Sequence, residues 1–289
     1  MKEPIFRGVC TALVTPFRDA TIHWDTLDRL VDFQLTNGVT TLVLAGTTGE
    51  APALKDNEKY ELVRHVKELV GKDCTILAGS GTNSTEHAVE LSHNAQDAGA
   101  DALLVVSPYY NKGNSDGQYQ HYKAIAESVE IPIILYNVPS RTGVDISVAV
   151  YKQLAEITNI VGVKEATSDI TKICRIRNQC PEDFHIWSGN DDQIVPVISL
   201  GGQGVISVLS NVLPRETVAM TNAALSGDFV RAAALQCEYM PFIETLFCEV
   251  NPIPVKYAMH CMGFDCGACR LPLGTFSSVN QNRIDLLLN

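Results

Sequence analysis

Short apolar runs alternate with longer stretches of helical period over the first 208 residues. The short runs are rich in β-branched residues, bounded by Gly, Pro, Asn or Thr, and too short for helices, so they read as strands. They fall at Gly8 to Val14, Thr40 to Ala45, Cys74 to Ala78, Ala102 to Val106, Pro132 to Tyr136, Ile160 to Ala166, Phe184 to Trp187 and Gly204 to Val208. Between them the helical period takes over. Asp25 is a capping residue, and Leu27, Leu30, Val31 and Gln34 on neighbouring turns predict a helix to Leu35. Further helices are predicted from Asp56 to Val70, from Ser84 or Thr85 to Ala98, from Gln118 to Ser128, up to Leu154, from Thr171 to Asn178, and up to Leu200.

Eight strand–helix repeats spaced about thirty residues apart predict an α/β chain folded as a (β/α)8 TIM barrel. Beyond Leu213 the strands stop, and helix follows helix: Arg215 to Leu225, Val230 to Phe247, Pro254 to Met262 and Asn280 to Leu288. The expected organisation is a barrel with the active site over residues 1–212 and a C-terminal helical region, 213–289, packed on it.

Composition narrows the class. The chain has 289 residues, 46% hydrophobic and 19% charged, which is a globular balance and long enough for a sizeable core. A net charge of −11 argues against nucleic acid or an anionic membrane as partner, but not against a small anionic substrate held in a local field. No run reaches the length of a membrane span, and Met1 to Arg7 has no apolar core of signal-peptide length, so the cytoplasm is the expected location. The nine cysteines are an odd number, and Cys10, Cys74, Cys174 and Cys237 sit singly in apolar runs, which suits reduced, packed thiols. Cys261, Cys266 and Cys269 have the spacing of three iron–sulfur ligands, but they fall at a helix end and loop and read as a chance spacing.

The candidate chemistry lies where strands end. Ile160 to Ala166 reads as a strand buried on both faces that ends in Lys164. Burial favours the uncharged form of an amine, and an uncharged lysine can form a Schiff base with a carbonyl substrate. A lysine at a strand end can equally mark where the strand meets solvent. The other strand ends shift the balance. Thr47 and Thr48 follow strand two, and Tyr109 and Tyr110 follow strand four. Tyr136 ends strand five with Arg141 in its exit loop, and Gly189 follows strand seven. In a barrel all of these gather at one face. Taken singly, the tyrosines could be rim packing and Gly46 and Gly49 ordinary turn glycines.

Gly201-Gly202-Gln203-Gly204 precedes a strand, where a phosphate loop would follow one. Nucleophile-elbow, zinc-protease and P-loop motifs are absent, and the seven histidines are scattered, so no metal triad is expected. Hydroxyls, one lysine and one arginine fit imine chemistry on a keto acid with no metal or organic cofactor.

Five segments carry a family resemblance: Gly46-Thr47-Thr48-Gly49-Glu50, Pro108-Tyr109-Tyr110-Asn111, Tyr136 to Gly143, Gly162-Val163-Lys164-Glu165-Ala166 and Gly204-Val205-Ile206-Ser207. A sixth, Asn251-Pro252-Ile253-Pro254-Val255-Lys256, lies in the C-terminal helices. In order and spacing the chain resembles the dihydrodipicolinate (4-hydroxy-tetrahydrodipicolinate) synthase family, part of the N-acetylneuraminate lyase superfamily of pyruvate-dependent class I aldolases. The resemblance implies a lyase that condenses pyruvate with L-aspartate-4-semialdehyde in diaminopimelate and lysine biosynthesis. It also implies a homotetramer built as a dimer of dimers. N-acetylneuraminate lyase is the nearest alternative within the superfamily, and Arg141 with the Tyr109–Tyr110 pair argues against it. A non-catalytic ligand-binding homologue is a second alternative, against which the intact set of polar strand-end residues speaks.

The resemblance also implies roles. Lys164 forms the imine with pyruvate. Tyr136, Thr47 and Tyr110 form a proton relay, with Tyr110 reaching into the neighbouring subunit's site. Thr48 holds the pyruvate carboxylate, Arg141 guides the carboxylate of the semialdehyde, and Gly189 and Ile206 line the pocket, Ile206 mainly through its backbone. In lysine-inhibited members, histidines and an acid form the effector site at the dimer interface. Here those positions hold Asp56, Lys59 and His87, while Asn83 and Tyr109 fit, so weak or absent inhibition by L-lysine is expected.

Overall fold

A computed structural model describes residues 1–288. Eight parallel strands close into a barrel: β1 (Gly8–Ala12), β2 (Thr41–Leu44), β3 (Thr75–Gly79), β4 (Ala102–Val106), β5 (Ile133–Asn137), β6 (Ile160–Glu165), β7 (His185–Ser188) and β8 (Gly204–Ser207). Each strand pairs with its sequence neighbours, and β1 closes the ring on β8 with Gly8 opposite Gly204. That closure needs glycine: a Cβ on Gly204 would lie 1.9 Å from the Gly8 carbonyl oxygen. The Gly201–Gly204 run is therefore the approach to a tight strand pairing.

Helices α1 (Trp24–Thr36), α2 (Asp56–Val70), α3 (Thr85–Asp97), α4 (Ser115–Ser128), α5 (Val148–Leu154), α6 (Ile170–Gln179) and α7 (Ile194–Ser199) follow the first seven strands. Helix α1 starts one residue before Asp25, which therefore lies in its first turn instead of capping it, and His23 at the cap makes no side-chain capping bond. Other starts are capped locally. Ser84 Oγ accepts from the His87 amide and Asp169 Oδ1 from the Thr171 amide. Helix α4 begins at Ser115, earlier than the expected Gln118, because Asn114 Oδ1 accepts from the Gly117 amide at 2.9 Å.

The C-terminal helices are α8 (Pro214–Leu225), α9 (Phe229–Leu246), α10 (Ile253–Cys261) and α11 (Ser278–Leu288). Helix α8 lies against β1 and β8 and completes the helical ring. It belongs physically with the barrel, although it was expected within the region 213–289. No helix among the described residues is long and apolar enough to cross a membrane.

The core has two layers, as the strand period of two requires. One cluster lies between strands and helices and includes Ile160, Val163 and Ile186. The other fills the barrel interior and includes Val43, Leu77, Ile134, Tyr136, Val161, Trp187 and Ile206. Phe6, just before β1, stacks on Trp187 at 5.1 Å between ring centroids and closes the N-terminal end. The polar strand-end residues gather at the opposite, C-terminal mouth.

The thiols divide in a way the apolar runs did not foretell. Cys10 and Cys74 are buried, but Cys174 and Cys237 are exposed, because a helix in an apolar-rich segment still turns some positions outward. Cys261, Cys266 and Cys269 are exposed, buried and partly buried respectively, three different settings.

Candidate active site

Strand β6 ends with adjacent residues facing opposite ways. Lys164 points into the barrel and is 5% exposed, with its Nζ 4.2 Å from the centre of the Tyr136 ring. The pairing of β5 with β6 sets this contact, since Tyr136 and Lys164 are register partners. Glu165 points outward into a buried network. It accepts from Asn137 Nδ2 at 2.7 Å and Tyr151 Oη at 2.9 Å, and Lys172 Nζ lies at 3.2 Å. Burial pushes the Glu165 carboxyl up, and Lys172, Asn137 and Tyr151 offset part of that rise. Lys172 also bonds Asp145.

A cavity of about 820 Å³ opens at the mouth. Thr47, Tyr136, Tyr110 and Arg141 all line it, so four of the expected residues share one space. Arg141, expected in the exit loop of strand five, sits in a short helical turn within that connection. Residues Pro139–Thr142 form one helical turn, with Pro139 at its start and Gly143 at its end in the left-handed region (φ 66°). That turn fixes the backbone of Arg141, and its Nη2 donates to the Asn251 carbonyl at 3.2 Å.

The β2 loop is held from the C-terminal region. Thr48 is 2% exposed, and its Oγ1 accepts from Asn251 Nδ2 at 3.0 Å. Glu50, in the left-handed region at φ 59°, pairs with Lys256 at 2.9 Å and accepts from the Arg270 amide at 2.7 Å. Thr48 therefore lies under the cavity wall, fixed in place.

Gly189 and Ile206 fill the remaining positions. The Gly189 amide donates to the Glu165 carbonyl at 2.8 Å, and a Cβ there would meet Ala166 Cβ at 2.7 Å, so only glycine lets β7 leave the barrel at this point. Ile206 is 1% exposed in the inner core.

Tyr110 differs from the other cavity residues in its exposure. It is 87% exposed and strained at φ 73°, a conformation uncommon for a bulky residue.

Sequence reasoning assigned no role to two groups at this mouth. Asp191 is buried, and its Oδ2 accepts from the Val208 and Leu209 amides, both at 2.9 Å. Burial pushes its carboxyl up, against those amides and the charge of Lys164. Its position two residues after Gly189 was the available signal. Asn251 was visible only as the first letter of a motif. No group of three or more His, Cys, Asp or Glu side chains is placed to hold a metal among the described residues.

A closed parallel barrel with a buried lysine ending its sixth strand, set over a tyrosine that lines the cavity at the mouth, defines a class: lyases of the class I aldolase type. The dihydrodipicolinate synthetase family model matches residues 5–289. The 4-hydroxy-tetrahydrodipicolinate synthase of Acetivibrio thermocellus is 45% identical over 97% of this chain and 95% of its own. The one from Caldicellulosiruptor saccharolyticus is 49% identical over 96% and 94%. The crystal structure of dihydrodipicolinate synthase from Aquifex aeolicus superposes with a TM-score of 0.96 at 41% identity, covering 98% of this chain and 97% of the other. The chain belongs to the dihydrodipicolinate synthetase family.

Proposed function

We propose that this chain condenses pyruvate with L-aspartate-4-semialdehyde to give 4-hydroxy-tetrahydrodipicolinate, through an imine on Lys164. The observation that carries the mechanism is the setting of Lys164. Its amine is buried at the mouth, over the Tyr136 ring, with no carboxylate within salt-bridge distance among the described residues. The names of its full-length relatives support this reaction over cleavage of N-acetylneuraminate.

The steps follow from ordinary carbonyl chemistry. The Lys164 amine adds to the pyruvate ketone and water leaves, giving the imine. The imine withdraws electrons, so a methyl proton departs and an enamine forms. The enamine carbon attacks the aldehyde of the second substrate. Its amine then displaces Lys164, which closes the ring and frees the enzyme. Tyr136, Thr47 and Tyr110 move the protons. Thr48 holds the pyruvate carboxylate, and Arg141, with its planar fork of donors, holds the carboxylate of the semialdehyde. Gly189 and Ile206 shape the pocket.

The exposure and strained backbone of Tyr110 support a role in the site of a neighbouring copy, within a homotetramer built as a dimer of dimers. Unpaired thiols throughout support work in a reducing compartment, the cytoplasm.

Inhibition by L-lysine is weak or absent in this reading. Asp56, Lys59 and His87 line the cavity together. Asp56 is already engaged by His87 Nε2 at 2.8 Å and Lys59 Nζ at 3.2 Å. Desolvation opposes ionisation of Asp56, but the contacts with His87 and Lys59 outweigh it and hold the carboxyl below its usual value. An added ammonium meets a carboxylate that is already paired. Strong inhibition at low lysine concentration would contradict this.

The reaction is tested by turnover of pyruvate and L-aspartate-4-semialdehyde, coupled to the following reductase and read as loss of NADPH. Robust turnover is expected. No turnover, with pyruvate still trapped by borohydride, would move the chain to another aldehyde partner.

A further inference from the structure

Asn251 touches both side chains to which the proposed reaction gives a carboxylate. Its Nδ2 donates to Thr48 Oγ1 at 3.0 Å, and its backbone carbonyl accepts from Arg141 Nη2 at 3.2 Å. It is 5% exposed, 203 residues from Thr48 in sequence, and precedes α10. The same stretch grips the β2 loop a second time through Lys256 and Glu50.

The direction of the first bond matters. A threonine hydroxyl has one hydrogen to give and can accept as well. An amide N–H pointed at Thr48 Oγ1 uses its acceptor capacity and leaves the hydroxyl hydrogen free for another partner. A carboxylate is acceptor only, so it needs that hydrogen. If a carbonyl or carboxylate stood where Nδ2 stands, it would take the hydrogen itself. The Oδ1 of Asn251 is buried with no partner among the described residues, so the amide spends its contact on Thr48 through nitrogen alone.

We infer that Asn251 is a positioning residue: its side chain sets Thr48 as a hydrogen-bond donor to the pyruvate carboxylate, while its backbone anchors Arg141 for the second substrate. The C-terminal region thereby enters the active site by orienting two residues from the barrel. This rests on the proposed condensation.

The test separates side chain from backbone by steady-state kinetics. N251A is expected to raise KM for pyruvate about tenfold, the equivalent of one lost hydrogen bond. KM for the semialdehyde should change far less, because the carbonyl that holds Arg141 remains. N251D, of nearly the same shape, is expected to weaken pyruvate binding further, since its carboxylate takes the Thr48 hydrogen and repels the substrate's charge. In a T48V background, N251A should add almost nothing, as expected for a residue acting through another.

A purely structural role would lower Tm without this split between the two KM values. If N251A does not fold, N251D carries the test. Unchanged KM for pyruvate in N251D would mean that oxygen, not nitrogen, faces Thr48, and would overturn the inference. Additive effects of T48V and N251A would overturn it as well. Failure of the wild-type chain to be trapped with pyruvate by borohydride would instead overturn the aldolase reading, and this inference with it.

Discussion

Lys164 and Lys256 are both buried, 5% and 3% exposed, and both lie over an aromatic ring, Tyr136 at 4.2 Å and Phe17 at 4.5 Å. Only the surroundings of the charge differ. Lys256 has Glu50 at 2.9 Å, and the pair ties the C-terminal region to the β2 loop. Lys164 has no such partner within salt-bridge distance among the described residues. A buried amine held by a carboxylate is a structural tie, since separating the two strands a charge in the interior. One left unpaired beside a cavity is available to a substrate. Burial alone therefore does not distinguish a reactive lysine; the absence of a competing ion pair does.

The comparison can be broken at either lysine. The largest effect is expected for K164A, with turnover lost by at least about 10³-fold and trapping of pyruvate abolished. Thermal unfolding should be close to that of the wild type, because no ion pair is broken. A K164A protein that turns over normally would remove the contrast altogether. K256M should do the reverse. It leaves the buried Glu50 without its ion-pair partner, still accepting from the Arg270 amide, and is expected to cost roughly 3–5 kcal/mol of stability by denaturant unfolding, while pyruvate is still trapped in the folded fraction. Adding E50Q should recover part of that loss.

Y136F sharpens the Lys164 side. It keeps the ring beneath the amine and removes only the hydroxyl, so turnover should fall about 10²-fold with little change in Tm. The smallest effect separates acid lability from both lysines. His121 is buried, with Nδ1 2.9 Å from Thr85 Oγ1, and desolvation pushes its pKa from 6.5 down to about 4. It is neutral in the folded chain, while the unfolded chain takes up a proton first as pH falls. Stability is lost progressively below about pH 6.5, reaching about 2 kcal/mol near pH 5. The loss levels off at the folded value near pH 4. H121Q should flatten Tm against pH across that window, and an unchanged slope would assign the lability elsewhere.

Much of this was legible in the chain because barrels repeat. The eight apolar runs marked all eight strands, with ends off by at most two residues, as at Gly8–Ala12 against an expected Gly8 to Val14. Lys164 was visible because a charged residue at the end of a doubly buried strand breaks the pattern. The turn holding Arg141 had its signals, Pro139 and Gly143, but at four residues it is too short to show a helical period. Helix α8 carried no mark of which surface it covers, so sequence grouped it with the helices after it. The contact from Asn251 to Thr48 spans 203 residues, and no local pattern encodes a bond of that range. The exposure of Tyr110 depends on where the loop after β4 leads, which its residue types do not fix.

The most direct test of the central claim is to treat the wild-type chain with pyruvate and borohydride, digest it, and locate the reduced adduct by mass spectrometry. A single adduct on Lys164 itself is predicted, and none on Lys172 or Lys256. An adduct on either of those lysines, or none at all, would contradict the account.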